Sequence, residues 1–239
     1  MGLSDVSRHW NRLGNDDPMW AVLTEGGKRG NRWDADEFLA TGAREIRAVL
    51  DRVAKLGAEP KFGTALDFGC GAGRLVQGMA TAGFEHATGV DISKGMLDKA
   101  AELNRHGDRV RFVHNESADL SIVDSDSVDF VYSCRVLQHM PTELAHGYIR
   151  EFFRIARAGG TVVFQIPSHP AANLQGALLR VVPTPVLNRL RKGMEMHGTP
   201  QRDIRALVAA ANGEVLAADT DTSAGNRWVS YLYIARKRG

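Results

Sequence analysis

Cysteine is nearly absent: Cys70 and Cys134 are the only two in 239 residues. That is too few for a structural zinc site or a disulfide framework, and both read as free buried thiols. No metal site is assigned. No apolar run approaches the roughly 18 residues a membrane span needs, and Asp5, Arg8 and His9 interrupt the N-terminus where a signal peptide would carry its apolar core. The expectation is a cytoplasmic protein. Charge of one sign is missing too. A net charge of +2 with 24% charged residues argues for neither a nucleic-acid binder nor disorder. Two nucleotide-binding signatures are also missing. G-x-G-x-x-G fails because the sixth position counted from Gly69 is Arg74, and G-x-x-x-x-G-K-[ST] does not occur.

What is present is organised around Thr64-Ala-Leu-Asp-Phe-Gly-Cys-Gly-Ala-Gly-Arg74, read as a buried strand, a glycine-rich turn and a helix start. Glycines there let the backbone approach a ligand closely, and a helix N-terminus adds unpaired N–H donors. With 44% hydrophobic residues the chain can bury one α/β core, so a single domain over 1–239 suffices. Residues 1–57 read as a leader and a helix, 64–166 as the cofactor-binding core, 167–200 as a cap insertion, and 201–239 as a C-terminal helix and strands.

The leader, residues 1–33, holds Trp10, Trp20 and Trp33 with no persistent period, and is read as an irregular lid or a set of packing anchors. Asp34, with Glu37 three residues on, caps a helix whose stripe of Phe38, Gly42, Ile46, Val49, Leu50 and Val53 runs to about Leu56. Strand and helix signals then alternate: a strand at 64–68, a helix to about 82, a strand at 87–90 ending in Asp91, and a helix over 93–105. Strands at 109–114 and 128–133, a helix from Pro141 to about Ala156, and a strand over 161–166 follow. The ligand-binding edge of such a parallel sheet lies beyond the C-terminal ends of its strands. Prolines punctuate the cap, whose Leu174, Leu178, Leu179 and Val182 are amphipathic in pattern. Its basic half, Arg180, Arg189, Arg191 and Lys192, reads as a solvated face, an anionic-partner site or a homodimer contact. A helix over 203–211 and strands over 214–218 and 228–235 close the chain.

Asp67-x-Gly69-x-Gly71-x-Gly73 resembles the motif of class I S-adenosylmethionine-dependent methyltransferases. Three further features stand in the family's order. Gly89-Val-Asp91-Ile-Ser93 resembles the second-strand motif whose acidic residue binds the ribose hydroxyls; a carboxylate can accept from both members of a diol. Glu116 and Ser117 occupy the positions of the Asp-Ala pair that lies near the adenine. Phe130 to His139 resembles the fourth strand and loop that support the methionine end. The resemblance implies a Rossmann-like, mostly parallel seven-stranded sheet in the order 3-2-1-4-5-7-6, with helices on both faces, an N-terminal lid and a small cap. It implies S-adenosyl-L-methionine as cofactor, held by Asp67, Gly69, Cys70, Gly71, Gly73, Asp91, Ile92, Met96, Glu116, Ser117, Ser133 and Trp33. The subgroup resembled acts on small molecules.

Methyl transfer to a hydroxyl requires a general base, for which histidine is the default near neutral pH. His139, His169 and His197 fall at the ligand edge as the candidates, with Arg135 and His197 placed to contact the acceptor. The Asn-Pro-Pro-Tyr type of motif is absent, which argues against adenine N6-methylation and a nucleic-acid partner. Polar residues near the mouth favour O-methylation of a saccharide or similar metabolite. C- or N-methylation of a quinone, lipid or other small molecule is the alternative, and a non-catalytic cofactor-binding module is another.

Overall fold

The computed structural model describes residues 3–172 and 196–239. Its centre is set by β1 (Thr64–Phe68), β2 (His86–Asp91), β3 (Val110–His114), β4 (Val128–Ser133), β5 (Ala156–Pro170), β6 (Gly213–Asp221) and β7 (Trp228–Lys237). They form one sheet in the order β3-β2-β1-β4-β5-β7-β6. The first five strands pair in parallel, and β7 runs antiparallel to both β5 and β6. Strand order reverses between β1 and β4, which opens a crevice beyond their C-terminal ends.

Alternation along the strands divides the core in two. Leu66, Phe68, Val131, Val162 and Phe164 join Tyr148, Phe152 and Ile204 on one face, under α6 (Thr142–Ile155) and the C-terminal helix, here α7 (Gln201–Ala210). Ala65, Phe130 and Val163 join Ile46, Val49, Val53, Val76 and Met79 on the other, under α3 (Ala35–Lys55) and α4 (Arg74–Ala82). Both faces are covered, as a parallel sheet requires. The expected caps form: Asp34 accepts from the Glu37 N–H at 2.9 Å at the start of α3, and Ser93 accepts from the Met96 N–H at 3.3 Å at the start of α5 (Lys94–Glu102).

Three expectations need correction. The leader is helical, with α1 (Leu3–Asp16) and α2 (Pro18–Val22). Val6, Trp10 and Leu13 recur at helical spacing, and Pro18 opens α2, a position that suits its missing N–H. Strand β5 extends well beyond 161–166 at both ends. Its pairing with β4 jumps from Val128↔Ala156 to Phe130↔Thr161, so the Gly159-Gly160 stretch is absorbed as an irregularity within the strand. At the other end Pro167 to Pro170 pair with β7 across a second register shift, which places them in the sheet rather than in a cap. Helix α5 stops at Glu102, three residues short of expectation. The cap's apolar pattern, Leu174, Leu178, Leu179 and Val182, and its basic half, Arg180, Arg189, Arg191 and Lys192, lie outside the described residues. Among the described residues no helix is long and apolar enough to cross a membrane.

Candidate functional site

The glycine turn after β1 forms the floor of the crevice. The Gly69 and Cys70 N–H groups both donate to Val90 O, at 2.7 and 3.1 Å, bending the turn across the end of β2. Gly69 and Gly71 have φ of +75° and +51°, a region costly for a residue with a side chain. They are also crowded: a Cβ on Gly71 would lie 2.5 Å from Val22 Cγ2, and one on Gly69 would strike Val136. Asp91 closes this floor, Oδ2 accepting from the Gly71 N–H and Oδ1 from the Ser93 N–H, each at 2.8 Å. Burial pushes the Asp91 carboxyl above its ordinary value, and those backbone hydrogen bonds work against the rise. Burial likewise raises the Cys70 thiol, with the Asp91 and Asp67 charges adding to it, so Cys70 stays a neutral wall.

Helices α1 and α2 and the segment after them form the roof. Ser93 Oγ donates to Trp10 O at 3.3 Å, the Lys94 N–H donates to Asn11 Oδ1 at 3.0 Å, and Ser7 Oγ donates to Glu116 Oε1 at 3.1 Å. The first two bonds pin α1 to the start of α5, and the third ties it to the segment after β3. Floor and roof enclose a cavity of ≈ 630 Å³, lined from above by Val6, Trp10 and Ala21 to Glu25. That volume falls in the range of small-molecule and cofactor sites.

Beyond β4 the wall is built from Cys134, Arg135, Val136, Gln138, His139 and Met140. Arg135 adopts φ +64°, turning the chain sharply out of the sheet. Its guanidinium lies 3.5 Å from Glu45, a carboxylate of α3 that also accepts from Arg74 and from the Tyr132 hydroxyl, each at 2.8 Å. Burial works to raise Glu45, but the two guanidinium groups and the hydrogen bonds from Arg74 and Tyr132 hold it below its ordinary value. A 3₁₀ turn, Leu137–His139, presents the His139 ring, whose centroid lies 5.4 Å from that of Trp10 in an edge-on contact. Met196 and Thr222 to Gly225 complete the lining.

Residues 65–160 match the model of a methyltransferase domain family. The chain carries a methyltransferase domain. It is 31% identical over 116 residues, 48% of this chain and 47% of the other, to a ubiquinone biosynthesis O-methyltransferase of Aromatoleum aromaticum. It is 30% identical over 122 residues, 50% of this chain and 51% of the other, to a demethylmenaquinone methyltransferase of Bacillus licheniformis. The matched stretch thus spans about half the length of these relatives. A magnesium protoporphyrin IX methyltransferase of Synechocystis, solved with bound SAH, shares the fold with a TM-score of 0.67 at 20% identity, over 99% of both chains.

The cofactor of this family is S-adenosylmethionine, and the residues of the methyltransferase domain fit it. The glycine floor leaves room only where no Cβ stands. Asp91 offers a carboxylate with lone pairs beyond the two taken by backbone N–H groups. Ile92, Met96 and Asn115 flank it with apolar surface and one amide. Asp67, 1% exposed, has both carboxyl oxygens without a hydrogen-bond partner among the described residues, and burial raises it to about 8, so it sits beneath the turn as a largely neutral carboxyl.

Of the residues expected to hold the cofactor, Gly69, Cys70, Gly71, Asp91, Ile92 and Met96 come together on the cavity wall. The others do not line it. A Cβ on Gly73 would strike Phe112 and Ala100, so that glycine serves packing of the turn on β3 and α5. Ser133 Oγ donates to Phe68 O inside the sheet at 3.0 Å. Glu116 and Ser117 are exposed beside α1, and Asn115 reaches the cavity in their place. Trp33 is a core residue, 5% exposed against Met19 and Phe38, with its indole N–H donating to Leu23 O at 3.2 Å. Trp10 takes the place at the cavity. Among the histidines only His139 lines the cavity. His169 is exposed on the end of β5, hydrogen-bonded to Ser168 Oγ at 3.0 Å, and the His197 N–H donates to Gln138 O at 2.8 Å. Sequence reasoning missed Glu45, Gln138 and the Thr222 to Gly225 loop.

Proposed function

We propose that the chain is an S-adenosylmethionine-dependent methyltransferase that O-methylates a hydroxyl on a small, ring-bearing acceptor, with His139 taking the hydroxyl proton. When bound, the cofactor supplies an electrophilic methyl group that carries its own leaving group. The protein's work is then alignment, exclusion of water and proton removal. Asp91 and the Gly69–Gly71 turn anchor one end of the cavity, and Trp10, Val22, Leu23 and Met196 shield it from solvent. Arg135, held by Glu45, offers a cation to the acceptor or to a carboxylate. The observation that carries this reading is the His139 ring on the cavity wall against Trp10, at the end of the strand next to the glycine turn.

The acceptor class is argued from the walls. Val6, Trp10, Val136, Met140, Met196 and Ala224 are apolar. A saccharide would leave many hydroxyls against such surface without partners, each at a cost of about 1–3 kcal/mol. An aromatic hydroxyl fits better, and the names of the two quinone-pathway relatives point the same way. The saccharide reading draws on Thr24, Glu25, Arg135, Gln138, Thr222 and Ser223.

Phenols, quinols, saccharides and amines offered with a labelled methyl donor test the proposal. Label is expected on a phenolic or quinol oxygen. His139→Ala should then bind S-adenosylhomocysteine as the unaltered protein does while losing ~10²–10⁴-fold in kcat. Label on nitrogen or carbon, or a fully active His139→Ala variant, overturns the O-methylation mechanism. Cofactor binding with no labelled acceptor of any class would favour a non-catalytic module.

A further inference from the structure

The wall that presents His139 hides a chain of side-chain amides running back into the sheet. Gln165 lies in the middle of β5 and is 0% exposed; Gln138 is 5% exposed and Ser230, on β7, is 2% exposed. Gln165 Oε1 accepts from the Arg135 N–H at 3.0 Å. Gln165 Nε2 donates to Ser230 Oγ at 2.6 Å and to Gln138 Oε1 at 3.2 Å. Gln138 Nε2 meets His139 Nε2 at 3.1 Å.

The polarity of this chain follows from one atom. A backbone N–H can only donate, so the Gln165 atom facing Arg135 must be the carbonyl oxygen. The Gln165 NH₂ group therefore faces Ser230 and Gln138, with two hydrogens for two acceptors. The Gln138 atom facing Gln165 must in turn be its oxygen. That leaves the Gln138 NH₂ group against the His139 ring, and an NH₂ group can only donate. His139 Nε2 must accept.

We infer that Gln165 and Gln138 form a positioning relay that fixes neutral His139 as its Nδ1–H tautomer, with the lone pair on Nε2. Neither glutamine is a catalytic residue; they act through the ring they orient, by donating to the nitrogen that carries the lone pair rather than by accepting from the other one. Resting on the reading of His139 as base, the consequence is specific. In this tautomer Nε2 is the only basic atom, so the acceptor's proton arrives there, and the Gln138 amide gives up its contact as it does. The same turn is tied down elsewhere, the His197 N–H holding Gln138 O at 2.8 Å, so the amide is not free to drift with the backbone. Burial makes the relay stiff, because inverting one amide would set N–H against N–H or oxygen against oxygen at the next contact.

Gln165→Glu inverts the relay with almost no change of shape. The new carboxylate accepts from the Arg135 N–H, from Ser230 and from the Gln138 NH₂ group, so Gln138 turns and offers its oxygen to His139 Nε2. The readout is the imidazole ¹⁵N shift pattern of histidine-labelled protein, at a pH where the ring is neutral, with His139 assigned through His139→Gln. The unaltered protein is expected to show the Nδ1–H pattern and Gln165→Glu the Nε2–H pattern. Gln138→Glu, which faces His139 with an acceptor directly, should show the same reversal and covers the case in which Gln165→Glu fails to fold. An Nε2–H pattern in the unaltered protein, or an unchanged Nδ1–H pattern in a folded variant, overturns the relay. Turnover is read separately: kcat should fall about 10²-fold in Gln165→Glu, the low end for a lost base, with affinity for S-adenosylhomocysteine within twofold. A reversed tautomer with unchanged kcat leaves the relay standing and removes His139 as the base.

Discussion

Replacing Asp91 tests the cofactor reading most directly, because this carboxylate does two jobs that can be separated. Its oxygens each accept one backbone N–H at 2.8 Å, from Gly71 and from Ser93, which ties the glycine turn to the end of β2. An ionised carboxylate has about four lone-pair sites, so roughly two remain for a ribose diol. A hydrogen bond to a charged group is worth ~1.5–3 kcal/mol, so losing a bidentate contact should cost at least about 2 kcal/mol, or more than about thirtyfold in Kd. Asp91→Ala also strands the Gly71 and Ser93 N–H groups, at about 1–3 kcal/mol each where they stay dry, and will lower Tm. Asp91→Asn keeps the volume and one acceptor oxygen, so it should melt closer to the unaltered protein while still losing the charged contact. Calorimetric titration of S-adenosylhomocysteine into both variants, with a melt of each, separates the two jobs. Affinity within threefold of the unaltered protein in a folded Asp91→Asn or Asp91→Ala variant would refute the ribose assignment. Burial raises the Asp91 carboxyl, so it protonates at a higher pH than an ordinary carboxylate. Cofactor affinity should accordingly begin to fall, on acidification, before ordinary carboxylates titrate.

The two tryptophans of the leader should separate in the same way. Trp33→Ala should cost ~3–5 kcal/mol in urea unfolding and leave cofactor affinity within threefold, whereas Trp10→Ala should weaken binding or turnover with a smaller loss of stability; the reverse pattern would mean that roof and core have been confused. Asp67 is raised to about 8, first by burial and then by the Glu45 and Asp91 charges, against the pull of Arg74. A carboxyl raised in this way binds more protons folded than unfolded, so stability contributed below the ordinary carboxylate range is lost as pH rises towards about 8. The urea midpoint of the cofactor-free protein should fall between about pH 5 and pH 8.5 and fall less in Asp67→Asn; parallel profiles would show that Asp67 is already charged at neutral pH.

The sheet was legible because its signals are local. Thr64–Phe68 is a buried strand closed by glycines, and Val128–Ser133 is a run of strand length rich in β-branched and aromatic residues. The leader was not, because its helical signal is thin: Val6, Trp10 and Leu13 stand among Ser7, Arg8, His9, Asn11 and Arg12. Helix α1 is held by what it packs on, and that contact is close: a Cβ on Gly14 would lie 2.7 Å from Ser93 Oγ. Such stabilisation from a partner some 80 positions away leaves no trace in the helix's own pattern. Strand β5 misled for the opposite reason. Gly159, Gly160, Pro167 and Pro170 are strong turn signals; pairing with β4 on both sides carries the strand across the glycines, and pairing with the long β7 overrides the prolines.

The two ends of the site differ in the same sense. The proposed cofactor end is assembled at the tips of β1 and β2, where each strand carries its own short motif, so Gly69, Gly71 and Asp91 could be placed from neighbouring residues alone, as could His139 after β4. The proposed acceptor end draws on Ala21 to Glu25, Arg135, Met196 and Thr222 to Gly225, which meet only in the folded chain. Its anchoring carboxylate, Glu45, sits on a helix whose sequence reads as an ordinary amphipathic one, and nothing local tells it from an exposed glutamate. Gln165 is different. Thr161-Val-Val-Phe-Gln-Ile166 is an apolar strand interrupted by one amide, and a side chain with two donors and an acceptor is costly in such a place unless it is fully partnered. Its partners are Ser230 on the neighbouring β7 and, beyond the end of β4, the Arg135 N–H and Gln138. A lone glutamine in a buried central strand was therefore a readable pointer to the wall of the site.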